Sequence, residues 1–113
     1  VLLPALRKSA DASVIFTSVG VGRRGRSSWG AYAVSKFAVE GLMQVLADEL
    51  AGNSTVRVNA VNPGRVRTAM RRQAYPAEDA ATLPEPAAVV GPFVYLLGPA
   101  SQGVNGKSFD CQA

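Results

Sequence analysis

Gly30-Ala31-Tyr32-Ala33-Val34-Ser35-Lys36 places a phenol and an ammonium four residues apart at the head of a helical stretch. Side chains at that spacing share a helix face, so Lys36 belongs beneath Tyr32. A free phenol has a pKa of ~10 and handles protons poorly at neutral pH, whereas a positive charge beside it favours the phenolate. A charge pair ~4 Å apart at an effective dielectric near 20 is worth ~4 kcal/mol, enough to make a tyrosine a usable general acid or base. The competing structural reading makes Tyr32 a half-buried aromatic and pairs Lys36 with Glu40, again four residues on. The flanking segments decide between them.

Upstream, Ser13-Val14-Ile15-Phe16-Thr17 is a β-branched and aromatic run without polar alternation, as expected of a strand buried on both faces of a parallel sheet. It runs into Ser18-Val19-Gly20-Val21-Gly22, small residues beyond the carboxyl end of a strand, where open α/β sheets bind ligands. Ser27 or Ser28 can cap the next helix and Gly52 can end it. Within it Val34, Phe37, Ala38, Leu42, Val45 and Leu46 form an apolar arc that Val39, Met43 and Leu50 widen, leaving a narrow polar strip of Lys36, Glu40, Gln44 and Asp48. Packing within one domain accounts for that width as well as a dimer does. The expectation adopted is a homodimer or homotetramer built partly on the helix from Ser28 to Leu50.

Downstream, Thr55 to Val61 reads as a second strand ending in the turn Asn62-Pro63-Gly64. Arg65 to Gln73 suits a short polar helix, and Pro76 to Pro86 an acidic loop. Ala87 to Leu97 is helix-like despite Gly91-Pro92, with Pro86 in its first turn and Pro99 beyond its end. Lys107 to Cys111 supplies a last strand, and Leu2 to Lys8 reads as the closing turns of a helix whose Arg7 and Lys8 suit its negative end. Alternating strands and helices with crossovers of this length imply parallel strands and right-handed connections, so the fold class is α/β.

Composition narrows the chemistry. With 113 residues, 48% of them hydrophobic, the chain can form one small core and not two. A single cysteine excludes an intrachain disulfide or a thiolate metal cluster, and the lack of histidine removes the commonest base and metal ligand, so no metal site is expected. Catalysis must then use Tyr, Lys, Ser or carboxylates. The net charge of +4 comes from scattered arginines without interleaved aromatics, which reads as a solvated basic surface and not a nucleic-acid site. No apolar run approaches the ~20 residues of a membrane span. The expectation is a soluble, cytoplasmic protein with no membrane partner.

A strand ending in Ser18, the Tyr32-x-x-x-Lys36 helix, a strand ending in Asn62-Pro63-Gly64 with Thr68 four residues beyond, and a closing strand after Gly106 together resemble the C-terminal half of the short-chain dehydrogenase/reductase family. The resemblance covers essentially every residue. Phe16-Thr17-Ser18, Trp29-Gly30-Ala31-Tyr32, Met43 to Glu49 and Arg67 to Arg71 are similar to the family's bacterial YciK-type oxidoreductases. It implies half of a Rossmann-like, doubly wound parallel sheet, with NADP or NAD as cofactor and a small carbonyl or alcohol compound as substrate. It also implies Tyr32 as catalytic acid/base, Lys36 as the cation that favours its phenolate and binds the nicotinamide ribose, and Pro63, Gly64 and Thr68 along the nicotinamide and pyrophosphate. On their own those three are a plain turn and a helix-capping threonine.

Ser18 is the departure. The family's substrate-polarising serine usually stands thirteen residues before the tyrosine, and that place is Val19 here. Either the loop shifts by one residue so that the Ser18 hydroxyl reaches the carbonyl, or the role is weakened or lost. The Gly-rich first turn, the residue choosing NAD or NADP and the family's catalytic asparagine would stand before Val1. Residues 1–113 are therefore expected to be the C-terminal part of one NAD(P)-binding domain, inactive and poorly soluble when isolated. The alternatives are a dehydratase or epimerase that keeps Tyr32 and Lys36, and a non-catalytic relative serving as a dimerisation or binding module.

Overall fold

A computed structural model describes residues 1 to 113. The chain runs α1 (Leu3–Lys8), β1 (Ala12–Thr17), α2 (Gly30–Ala51), β2 (Val56–Asn62), α3 (Ala69–Ala74), α4 (Gly91–Leu97) and β3 (Ser108–Asp110), with 3-10 turns at Gly20–Gly22, Ala80–Thr82, Pro86–Val89 and Pro99–Ser101. The three strands form one parallel sheet in the order β1-β2-β3. The expected α/β class is observed.

β2 is the central strand, and Val56 to Val61 are all buried. Two of those residues are polar, so each needs partners inside the protein. The Arg57 guanidinium pairs with Asp11 and donates to the carbonyls of Leu96 and Gly98, while Asn59 donates to Val104 O and accepts from Lys107 N–H. Val56, Val58 and Ala60 meet Ala12 of β1 and Met43, Ala47 and Leu50 of α2 in the main core. β1 departs from the expectation of burial on both faces: Ser13 to Phe16 are only half-buried, because β1 pairs with β2 alone and its other edge is free.

α2 corrects two expectations. Its N-cap is Trp29, which offers no side-chain acceptor. Ser28 adopts φ 72 instead of capping, and the chain enters the helix through Gly30 at φ 33. Gly52 does end the helix, at φ −89. The apolar arc also divides between two faces. Ala33, Glu40, Met43, Ala47 and Leu50 turn inward, whereas Val34, Phe37, Leu42 and Val45 are 46–71% exposed. Glu40, assigned to the solvated strip from sequence, is 6% exposed.

The stretch expected as one helix over Ala87 to Leu97 breaks at Val90. Pro86–Val89 is a 3-10 turn, and α4 starts afresh at Gly91 with Pro92 in its first turn, where the missing amide hydrogen leaves no gap. The largely apolar stretch Ala80–Leu97 is cut into three pieces. The longest, at seven residues, spans ~10 Å, a third of a bilayer core.

Candidate active site

A parallel strand and its crossover helix share an edge: the helix begins where the strand ends and returns to the sheet's amino edge. Thr17 lies opposite Val61, and Asn62 opposite Asp110, so Ser18, Pro63-Gly64 and Cys111 leave the sheet at one carboxyl edge. Tyr32 and Lys36 occupy the first two turns of α2, beside the same edge.

Tyr32 is 36% exposed. The Lys36 Nζ lies 5.7 Å from its ring centroid, and Trp29 packs a tilted ring at 5.8 Å on it. From sequence, Trp29 figures only as part of the Trp29-Gly30-Ala31-Tyr32 resemblance, with no packing role assigned to it. The competing pairing of Lys36 with Glu40 is not made. Glu40 instead accepts the Ser18 hydroxyl at 2.6 Å and Arg23 Nε at 3.0 Å on one oxygen, and the Ser108 hydroxyl at 2.6 Å on the other. Burial pushes the Glu40 carboxyl up, but hydrogen bonds from Ser108, Ser18 and Arg23, with the charge of Arg23, outweigh it and hold it below the usual carboxylate range. For Arg23, burial opposes the charge, and the hydrogen bonds and charges of Glu40 and Asp110 raise it further above its ordinary value.

Ser18 is 0% exposed and its hydroxyl donates to Glu40, so its hydrogen goes to the carboxylate in this arrangement. Neighbouring residues of an extended chain point to opposite sides, which turns the half-buried Val19 the other way. Gly22 explains the close seating of this loop on the helix. A Cβ there would stand 2.8 Å from the Lys36 carbonyl oxygen. Gly22→Ala is accordingly expected to destabilise the protein by ~1–3 kcal/mol, the usual range for overpacking, and urea denaturation measures it.

Gly20-Val21-Gly22-Arg23-Arg24-Gly25 also spells Gly-x-Gly-x-x-Gly after a strand. It is not a phosphate cradle. The N–H groups of Gly22, Arg23 and Arg24 already donate to Val19 O and Gly20 O, and α2 begins only at Gly30.

Across the edge, the turn after β2 places Gly64 at φ 79, with its N–H donating to Asn62 Oδ1. Gln112 Nε2 donates to Pro63 O at 2.7 Å and Arg65 O at 2.9 Å, filling the space a Gly64 side chain would need. Thr68 caps α3: its Oγ1 accepts from Arg71 N–H at 3.1 Å, which leaves the hydroxyl hydrogen free to donate outward. Beside it a recess of about 350 Å³ lies among Arg67, Thr68, Arg72, Tyr75 and Glu78. The basic surface is partly spent inside this lobe. Arg67 donates to Ala80 O, Leu83 O and Glu85, and Arg71 grips Glu78 with two bonds while stacking 3.8 Å from the Tyr75 ring. A larger recess of about 550 Å³ sits at the amino edge by Asp11 and Arg57, away from Tyr32.

The short chain dehydrogenase family model matches residues 1–79. An uncharacterized oxidoreductase, YciK of Escherichia coli K12, is 52% identical over 98% of this chain and 43% of its own length. A 3alpha-hydroxysteroid dehydrogenase of Mediterraneibacter gnavus is 38% identical over 81% of this chain and 32% of its own. Among solved structures, a Shigella flexneri protein complexed with NADP superposes with a TM-score of 0.94 at 52% identity, covering 99% of this chain and 46% of that one. The chain thus spans less than half the length of these relatives.

Proposed function

The chain belongs to the short-chain dehydrogenase family, and from that premise we propose that the protein is an NAD(P)-dependent oxidoreductase acting on a carbonyl or alcohol carbon. The observation that carries the reading is the Tyr32–Lys36 pair. It is partly open to solvent, on one helix face, and free of the Glu40 contact that would have made it structural. Residues 1–113 belong on this reading to a single dinucleotide-binding domain.

Nicotinamide, when bound, supplies or takes the hydride. In the reductive direction Tyr32 Oη gives its proton to the carbonyl oxygen, and Lys36 stabilises the phenolate left behind. Lys36 has ammonium hydrogens to spare for a ribose hydroxyl, and Thr68 has its hydroxyl hydrogen for a carboxamide or phosphate oxygen. Pro63 and Gly64 turn at the same edge, with the Pro63 carbonyl bonded to Gln112 and the Gly64 N–H to Asn62. The free donors of Lys36 and Thr68 suit a dinucleotide. NADP is the cofactor to test first, since 52%-identical structures are complexed with NADP and NADPH, with NAD the alternative. Ser18 acts from behind the site through Glu40, and Tyr32 alone polarises the substrate oxygen. The test is NADPH or NADH oxidation followed by absorbance across a panel of aldehydes and ketones. Turnover of a substrate with no change in nicotinamide absorbance would refute the reading.

The outward face of α2 supplies the partner surface. Val34, Phe37, Ala38, Leu42 and Val45 form a continuous exposed stripe at helical spacing, and two-fold pairing with a second copy covers it. The protein is expected to sediment as a homo-oligomer at micromolar concentration, and the double substitution Leu42→Glu, Val45→Glu to yield monomers. A monomeric wild type would exclude this surface as the contact.

A further inference from the structure

The buried Glu40 carboxylate takes no part in the proton or hydride steps above, yet it begins a chain of polar contacts that ends at the opposite half of the site. Arg23 spends its whole fork on the link: Nε donates to Glu40 at 3.0 Å, one terminal nitrogen to Asp110 Oδ1 at 2.9 Å, and the other to Phe109 O at 3.3 Å. Asp110 Oδ1 also accepts from Asn62 Nδ2 at 2.9 Å, and Asn62 Oδ1 accepts the Gly64 N–H at 3.0 Å. Glu40 stands one helical turn beyond Lys36, and Arg23 follows the glycine seated against the Lys36 backbone. A planar guanidinium bonded through each of its three nitrogens holds its neighbours at fixed separation, which a flexible lysine would not.

We infer that Glu40, Arg23, Asp110 and Asn62 are positioning residues that fix the distance between the Lys36 turn of α2 and the Pro63-Gly64 turn after β2. The inference rests on the proposed cofactor reading for its functional consequence, but its structural half stands without it. None of the four touches the reacting atoms. They act by keeping the two halves of the nicotinamide site in register, and misplacement by ~1 Å in such a site costs up to about a hundredfold in rate.

Asp110 is the place to cut the chain, because its side chain is 51% exposed and its removal leaves the core intact. Asp110→Ala deletes the acceptor shared by Arg23 and Asn62, whereas Asp110→Asn keeps an oxygen for both. In the full-length protein Asp110→Ala is expected to speed hydrogen exchange at the Gly64 amide and to raise the KM for NADPH about ten- to a hundredfold, with little change in melting temperature. Asp110→Asn is expected to restore both. Unchanged exchange and KM in Asp110→Ala would overturn the inference, as would a loss of melting temperature with neither altered. A wild type that binds neither NADPH nor NADH would defeat the functional proposal instead. Gly64 exchange in the two variants would then decide the positioning chain alone.

Discussion

Tyr32→Phe is expected to lower kcat by about 10²–10⁴-fold, the usual contribution of a positioned acid/base, while nicotinamide affinity stays within a few-fold of wild type. The substitution removes one oxygen and keeps the ring that Trp29 packs on and that Lys36 overlooks. With no histidine in the sequence and the Ser18 hydroxyl held by Glu40, neither of those groups stands ready to pass the proton. In barrier terms the loss is ~3–5 kcal/mol. Lys36→Ala should differ in kind, harming both rate and cofactor affinity, because the ammonium serves the phenolate and the ribose. Steady-state kinetics with fluorescence titration of NADPH separate the two. Near-normal turnover in Tyr32→Phe would end the acid/base assignment.

Where the chain turned from strand to helix was legible because local chemistry sets it. β-branched runs gave β1 and β2, Asn62-Pro63-Gly64 gave the turn, and Gly52 gave the end of α2. Which way α2 faces was not legible. A helix with apolar residues on both sides carries little directional signal, and only the sheet decides that Met43 and Leu50 face in while Val34 and Val45 face out. The polar core was hidden for another reason. Glu40 reads as solvated four residues after Lys36, and its true partners come from 22, 17 and 68 residues away in the chain. The Tyr32–Lys36 pair could be found from spacing, whereas the orientation of Ser18 required knowing that a buried carboxylate would claim its hydroxyl. The break at Val90 was written in Gly91-Pro92, and the apolar run on either side masked it.

Glu40→Ala is expected to destabilise the protein by ~2–4 kcal/mol, from a buried hydroxyl left unpaired and the void that truncation opens. The loss has separable parts. The Ser18 hydroxyl, fully buried, is left without its acceptor, which costs ~1–3 kcal/mol. Ser108 loses its 2.6 Å acceptor, and a methyl in place of the longer side chain opens a void beside the carboxyl edge of β1. Arg23 suffers least, because it keeps Asp110 and reaches water. Glu40→Gln should lose less, since the amide oxygen still accepts from Ser18 and Arg23 and the Ser108 hydroxyl can turn to accept from the amide nitrogen. The pH dependence identifies the charge. A carboxyl held below its ordinary value when folded stabilises fully above the unfolded pKa of ~4.3, and that contribution is lost as pH falls through the lower, folded value. The stability difference between wild type and Glu40→Gln, measured by urea denaturation, should be constant from pH 8 to about 5 and shrink below about 4. A difference independent of pH down to 3 would show that shape, not charge, is what Glu40 contributes, and a Glu40→Ala loss under ~1 kcal/mol would mean the network is not holding the edge together.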